Sequence, residues 1–117
     1  MVGRIDQMRK GTTTLVLLKL LADAEEPVHG YEIIQRLEAR CEGFFRFREG
    51  LVYPKLNELE KRGWIEGRWI GEPGTRRRKV YAITRAGLQQ LDAELARWKG
   101  FCRAMRLLLR ADLQRWV

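Results

Sequence analysis

Apolar positions along this chain follow two rhythms, and the switch between them predicts the order of the elements. From Thr13 to Ala24, leucines and valines occupy most sides of a helix, which predicts a central, buried one. Thr12, Thr13 and Thr14 offer its N-cap, and Pro27 marks the break after it. Ile33, Ile34, Leu37 and Cys41 recur at helical spacing and give a second helix, over residues 30–40, one apolar face. A third helix over residues 51–62 turns Val52, Leu56 and Leu59 inward. Pro54, Asn57, Glu58 and Lys61 then face away from the core, with Tyr53 at the edge. Pro54 suits the first turn of such a helix, where no backbone donor is lost, and Gly63 ends it as a left-handed cap. Between the second and third helices, Phe44, Phe45 and Phe47 are expected to plug the turn into the core.

The period then falls to two. Residues 64–70 and 79–84 read as strands, joined by the turn-rich tip Gly71, Glu72, Pro73, Gly74 and Thr75, and so as an antiparallel hairpin. Thr84 caps a last helix expected over residues 85–115, in which Gly100 costs ~1 kcal/mol relative to alanine. Along it, Leu88, Leu91, Leu95, Trp98, Cys102, Met105 and Leu109 alternate spacings of three and four. That is the seam of a helix made to pack on another helix. The seam can lie on its own domain's core, but a helix of about thirty residues extends ~45 Å, more than so small a body covers. A twin subunit is the economical partner for the remainder.

Three short helices followed by a hairpin is the order of a winged helix-turn-helix. The predicted fold is therefore mainly α with a small β-hairpin, an α+β class, plus a long C-terminal dimerisation helix. The expected divisions are a leader at 1–12, the winged helix-turn-helix at 13–84 and the dimerisation helix at 85–117.

Composition narrows the function. The 117 residues are 45% hydrophobic and 32% charged, the balance of one globular domain, and the formal net charge of +8 suits a polyanionic partner. His29 is the single histidine and there is no serine, which rules out a Ser-His-Asp triad and a multi-histidine metal site. Cys41 and Cys102 lack metal-ligand spacing and are expected as reduced thiols. Neither an enzyme nor a cofactor is expected. The longest apolar stretch, Leu15 to Ala22, is broken by Lys19 and falls short of the ~20 residues a membrane span needs. The expected setting is the cytoplasm, without a membrane partner.

The positions that suit double-stranded DNA fall in two places. Tyr53, Pro54, Lys55 and Asn57 lie in the N-terminal half of the third helix, with Lys61 further along it. Asn57 suits bidentate pairing with adenine, and Lys55 suits guanine or phosphate. Arg76, Arg77, Arg78 and Lys79 form a run at the hairpin tip. Such a run can be merely solvated. Beside a helix-turn-helix it suits phosphate neutralisation or insertion into a narrow minor groove.

The stretches HGYEI (His29 to Ile33), FFRFREGLVYPKLNELEKRGWI (Phe44 to Ile65) and RRRKVYAITRAG (Arg76 to Gly87) resemble the PadR family of bacterial transcriptional regulators. The likeness runs from about Thr14 to Leu109, and the single C-terminal helix resembles the compact subfamily. The resemblance implies a homodimer, usually a repressor, with DNA contacts at Tyr53, Lys55 and Arg76 to Lys79. By the same resemblance, Trp98 matches an interface tryptophan that stacks on a small aromatic effector in multidrug-responsive members. It can equally be plain dimer packing. Leu51 stands where relatives commonly carry a small hydroxyl residue, and Glu58 where a basic one is common. The alternative function is a protein–protein interaction adaptor with no operator of its own.

Overall fold

The computed structural model describes residues 10–110. They fold into α1 (Lys10–Asp23), β1 (Val28–His29), α2 (Gly30–Arg40), α3 (Glu49–Lys61), β2 (Ile65–Ile70), β3 (Arg78–Ile83) and α4 (Arg85–Leu108). Leu17, Leu18, Leu20 and Leu21 of α1 form the centre of the core. Ile33, Ile34 and Leu37 of α2, Val52, Leu56 and Leu59 of α3, and Val28, Ile65 and Tyr81 of the sheet close around them. α1 reaches back to Lys10, so the three threonines lie inside it rather than at its cap, and Thr13 and Thr14 are buried. Burial on all sides outweighs their capping preference. Residues 1–9 of the expected leader lie outside the described residues.

The sheet holds a strand the sequence did not announce. β1 pairs antiparallel with β3 (Val28↔Tyr81, His29↔Val80), giving the order β1-β3-β2 with β3 central. Two residues are too few to show a period. His29 then caps α2, its Nδ1 accepting from the Glu32 N–H at 3.4 Å. The single histidine thus has a structural task.

After α2 the chain turns sharply through Glu42 and Gly43, both at positive φ. Phe47 is buried, and its N–H donates to Glu38 Oε2 at 2.9 Å. Phe45 is half-buried, edge-on to both neighbouring rings. Phe44 departs from expectation: it is 61% exposed. Adjacent residues leaving a tight turn cannot both point inward.

α3 begins at Glu49, two residues before the predicted start, so Pro54 is in its second turn. The helix forgoes one backbone bond there, to Gly50. Gly50 is exposed, so water can satisfy the spare carbonyl. Gly63 has φ +80°, the left-handed cap the sequence predicts.

The passage from wing to last helix is a tight corner. Thr84 Oγ1 donates to the Gly63 carbonyl at 2.6 Å and accepts from the Gly87 N–H at 3.0 Å. The Thr84 N–H donates to the Trp64 carbonyl at 3.0 Å. A Cβ on Gly87 would lie 2.0 Å from that same Trp64 oxygen, so only glycine lets α4 dock this closely. Further on, α4 lies along α1. It runs to Leu108, and the part of the expected helix from residue 111 to residue 115 lies outside the described residues.

Two predictions test this frame. Gly87→Ala meets backbone rather than a movable side chain and should cost ~1–3 kcal/mol, read as a lower urea midpoint with unchanged slope. Asp23 ties the end of α1 to α2, accepting from Lys19 at 3.0 Å and Arg40 at 3.2 Å. The Lys19 hydrogen bond, opposed by desolvation and then reinforced by the charges of Lys19 and Arg40, holds its carboxyl below the ordinary value of 3.8. Its contribution is therefore present above pH 3.8 and lost as pH falls through the lowered value. The thermal-midpoint gap between wild type and Asp23→Asn should be open at neutral pH and close in acid.

Candidate nucleic-acid interface

Above the core, Lys79 ties the wing to α3. In the β2–β3 register, Gly67 faces Tyr81 and Trp69 faces Lys79. Lys79 lies across Gly67 and reaches Glu60 Oε1 of α3 at 2.9 Å. A Cβ on Gly67 would come within 2.5 Å of Lys79 Cε and 3.1 Å of Glu60 Oε2, so the absent side chain is what opens this route. The Lys79 ammonium also stands 5.8 Å from the Trp69 ring centroid and 5.5 Å from that of Tyr81. The Glu60 hydrogen bond, opposed by slight desolvation, raises the Lys79 ammonium above its ordinary value. Lys79, grouped with the arginines in the sequence, is thus engaged within the protein.

A second glycine sets Tyr53. A Cβ on Gly30 would lie 2.4 Å from Tyr53 Cε1, so the ring rests directly on the first residue of α2. Burial, with the Glu49 carboxylate second, pushes the Tyr53 phenol up. It is therefore a neutral hydroxyl at physiological pH, able to donate and to accept.

Together these contacts open a groove of about 590 Å³ between α3 and the wing, with Tyr53 and Asn57 on one side and Arg76, Arg77 and Arg78 on the other. All three arginines are exposed, and among the described residues no carboxylate pairs with them. The structure therefore brings together two groups that are some twenty residues apart in sequence. Pro54 and Lys61 are exposed on α3, outside the groove lining.

Lys55 is placed elsewhere. Two residues past Tyr53 is ~200° around the helix. Its side chain is only 12% exposed and pairs with Glu58 at 3.2 Å. Both line a separate polar groove toward α4, with Arg62, Gln90, Glu94 and Arg97. Glu58 also meets Arg62 at 3.3 Å, and Lys55 first, then Arg62, lowers its carboxyl. This carboxylate faces α4 and is compensated, so it does not oppose an anion in the wing groove. Leu51, the other departure from the family pattern, is half-buried in the first turn of α3.

Two groove residues escaped the sequence reading: Tyr31 on α2 and Trp69 on β2. Trp69 had a faint signal, since it shares the period-two phase of Ile65 and Gly67. Its partner across the hairpin could be named only once the register was known.

The seam of α4 divides in two. Leu91 is buried and Leu95 packs against the core, so this half lies on the chain's own domain. Leu88 is exposed on the same turn. Beyond them, Trp98 and Phe101 stack at 5.7 Å while each is 43% exposed. Cys102 and Met105 are partly covered, and Leu107, Leu108 and Leu109 are exposed. Trp98 also closes one end of an apolar groove of about 420 Å³ lined by Leu15, Val16, Cys41 and Phe45. Among the described residues, no helix is long and apolar enough to cross a membrane.

Comparison with known proteins agrees with this geometry. The family model described as the transcriptional regulator PadR-like family matches residues 17–93. A transcriptional regulator from Clostridium thermocellum superposes with a TM-score of 0.75 at 27% identity, over 83% of this chain and 92% of that one. A PadR-like transcriptional regulator from Bacillus cereus gives 0.71 at 32% identity, over 89% and 97%. A PadR-like transcription factor from Bacteroides fragilis gives 0.70 at 28% identity, over 87% and 94%. Superpositions of this extent place the four helices and small three-stranded sheet found here in the same winged-helix fold as those structures. By its family match, and by relatives of nearly its own length, this chain belongs to the PadR-like family of transcriptional regulators, and is a winged-helix DNA-binding regulator.

Proposed function

We propose that this chain is a homodimeric repressor that reads duplex DNA in the cytoplasm with α3 in the major groove and the wing on the adjoining backbone. The observation that carries this is the shared groove, in which unpaired Arg76, Arg77 and Arg78 face Tyr53 and Asn57. Arginines without an internal partner are available to neutralise phosphate, and groups on one concave face can grip one strand together. Asn57 and Tyr53 are the base-reading candidates, and Pro54 and Lys61 flank them on the exposed side of α3. Lys79 acts as the clamp that sets the wing at its distance from α3. Lys55 serves the α3–α4 groove and is at most a secondary contact. In this reading residues 13–84 form the DNA-binding unit.

Residues 85–117 supply the dimer contact. The distal seam of Trp98, Cys102, Met105 and Leu109, flanked by Phe101 and Leu108, exposes apolar surface that a second α4 would cover. Leu88 joins that surface, while Leu91 and Leu95 hold α4 to its own domain. Trp98, standing between the seam and the apolar groove, is the position for a small aromatic effector if one is used.

The wing assignment is tested by titrating a duplex from upstream of the chain's own gene at several salt concentrations. Removing each of Arg76, Arg77 and Arg78 should flatten the plot of log affinity against log salt by about one unit. Lys79→Met should leave that slope unchanged and lower stability by about 1 kcal/mol, the worth of a partly shielded pair. A slope untouched by the arginine variants would remove the wing from the mechanism. Absence of any saturable, salt-sensitive complex would favour a protein-binding adaptor instead.

The dimer assignment is tested by Met105→Glu, which places a charge on the distal seam beyond the chain's own core. Sedimentation at micromolar concentration should show a monomer with an unchanged circular dichroism spectrum. A variant that stays dimeric would move the contact off this seam.

A further inference from the structure

Trp69 is 58% exposed in a sheet whose other large side chains on the same face are covered. Ile65 and Tyr81 of that face are buried, whereas Trp69 stands one step nearer the tip, past the Lys79–Glu60 clamp. There it lines the groove between α3 and the wing, alongside Arg76, Arg77 and Arg78. Across the groove, Tyr31 in the first turn of α2 is 54% exposed. Two large aromatic faces are therefore open to water in the groove where Arg76, Arg77 and Arg78, without a carboxylate partner among the described residues, come together.

We infer that Trp69 is a DNA-contacting residue, its indole packing on a deoxyribose of the strand whose phosphates the wing arginines hold, with Tyr31 lining the opposite wall. This rests on the DNA-binding reading above. The chemistry follows from the repeat of a nucleic-acid strand, in which each anionic phosphate adjoins an apolar sugar face. A row of cations answers only the phosphates. A surface that sets an indole beside guanidinium groups answers both, as aromatic platforms do in proteins that track single strands. The indole is also held in advance of binding. Lys79 stands over the Trp69 ring at 5.8 Å and is itself fixed by Glu60 at 2.9 Å. A side chain ordered beforehand loses little rotational freedom when a ligand arrives. No residue of the lining is a carboxylate and four are cations, which favours a polyanionic strand over a partner of mixed charge.

The test uses the full chain, one fluorescein-labelled duplex from upstream of its own gene, and a second duplex of unrelated sequence. Trp69→Ala should weaken both complexes by about tenfold, and Trp69→Phe should stay within about threefold of wild type on each. The salt slope should be the same for all three proteins, because no ionic contact is removed. Tryptophan emission gives a readout independent of folding: part of the quenching of wild type by unlabelled duplex should be missing in Trp69→Phe. Full affinity in Trp69→Ala, or identical quenching in Trp69→Phe, would overturn the contact. A flattened salt slope in Trp69→Ala would also overturn it, since Trp69 would then be acting only by placing the arginines. A wild type that binds neither duplex would instead sink the DNA-binding reading together with this inference, an outcome distinct from the others.

Discussion

The Lys79–Glu60 ion pair ties the wing to α3 above the core, and the groove proposed to face DNA opens beside that tie. A two-stranded ribbon has little rigidity of its own. Here the third strand, β1, supports only the base of β3, opposite Val80 and Tyr81. Toward the tip the wing is restrained by the lysine lying across Gly67. With that side chain in place, Arg76 to Arg78 project from a defined edge. Without it, the same arginines would still reach phosphate, but from a less firmly held ribbon. Gly30 performs the matching task on the other wall, where its missing side chain lets Tyr53 lie flat. Two glycines thus shape the groove by what they leave out.

Most of the architecture was legible in the sequence because burial repeats. The helical phases of Ile33, Ile34 and Leu37 and of Val52, Leu56 and Leu59, the β-branched and aromatic content around Val80 and Tyr81, and the cap residues Gly63 and Thr84 each state a local preference that the fold honours. What escaped was set by contacts distant in sequence. β1 is too short to have a rhythm and exists because β3 offers it an edge. The threonines of α1 are good caps in isolation and become interior residues because the helix starts earlier. Phe44 and Phe45 are chemically alike, and only the turn geometry decides which faces water.

The site was legible by residue type and less so by arrangement. The wing arginines, Tyr53 and Asn57 were named from their position in the motif, and the fold sets them on one groove. The separation of Lys55 from them was available in principle, since residues two apart lie on nearly opposite sides of a helix. Trp69 required the hairpin register. The seam of α4 is the clearest case of a pattern with two owners: its spacing never falters, yet Leu91 and Leu95 belong to the chain's own core while the surface beyond Trp98 does not. Periodicity reports that a helix face is apolar and is silent on whose surface covers it.

The corner at Thr84 has a mechanical meaning. A single residue separates the last strand from α4, and its hydroxyl and amide are both tied to the turn that ends α3. The connection leaves little slack between the winged helix and the long helix, so a tilt of one would be passed to the other. In a twofold pair, tilting the long helix at its far end would swing both winged helices through an arc, altering their separation without deforming either. Such a lever would make the protein intolerant of a base pair inserted between half-sites, and would let a small wedge near Trp98 be felt at the operator.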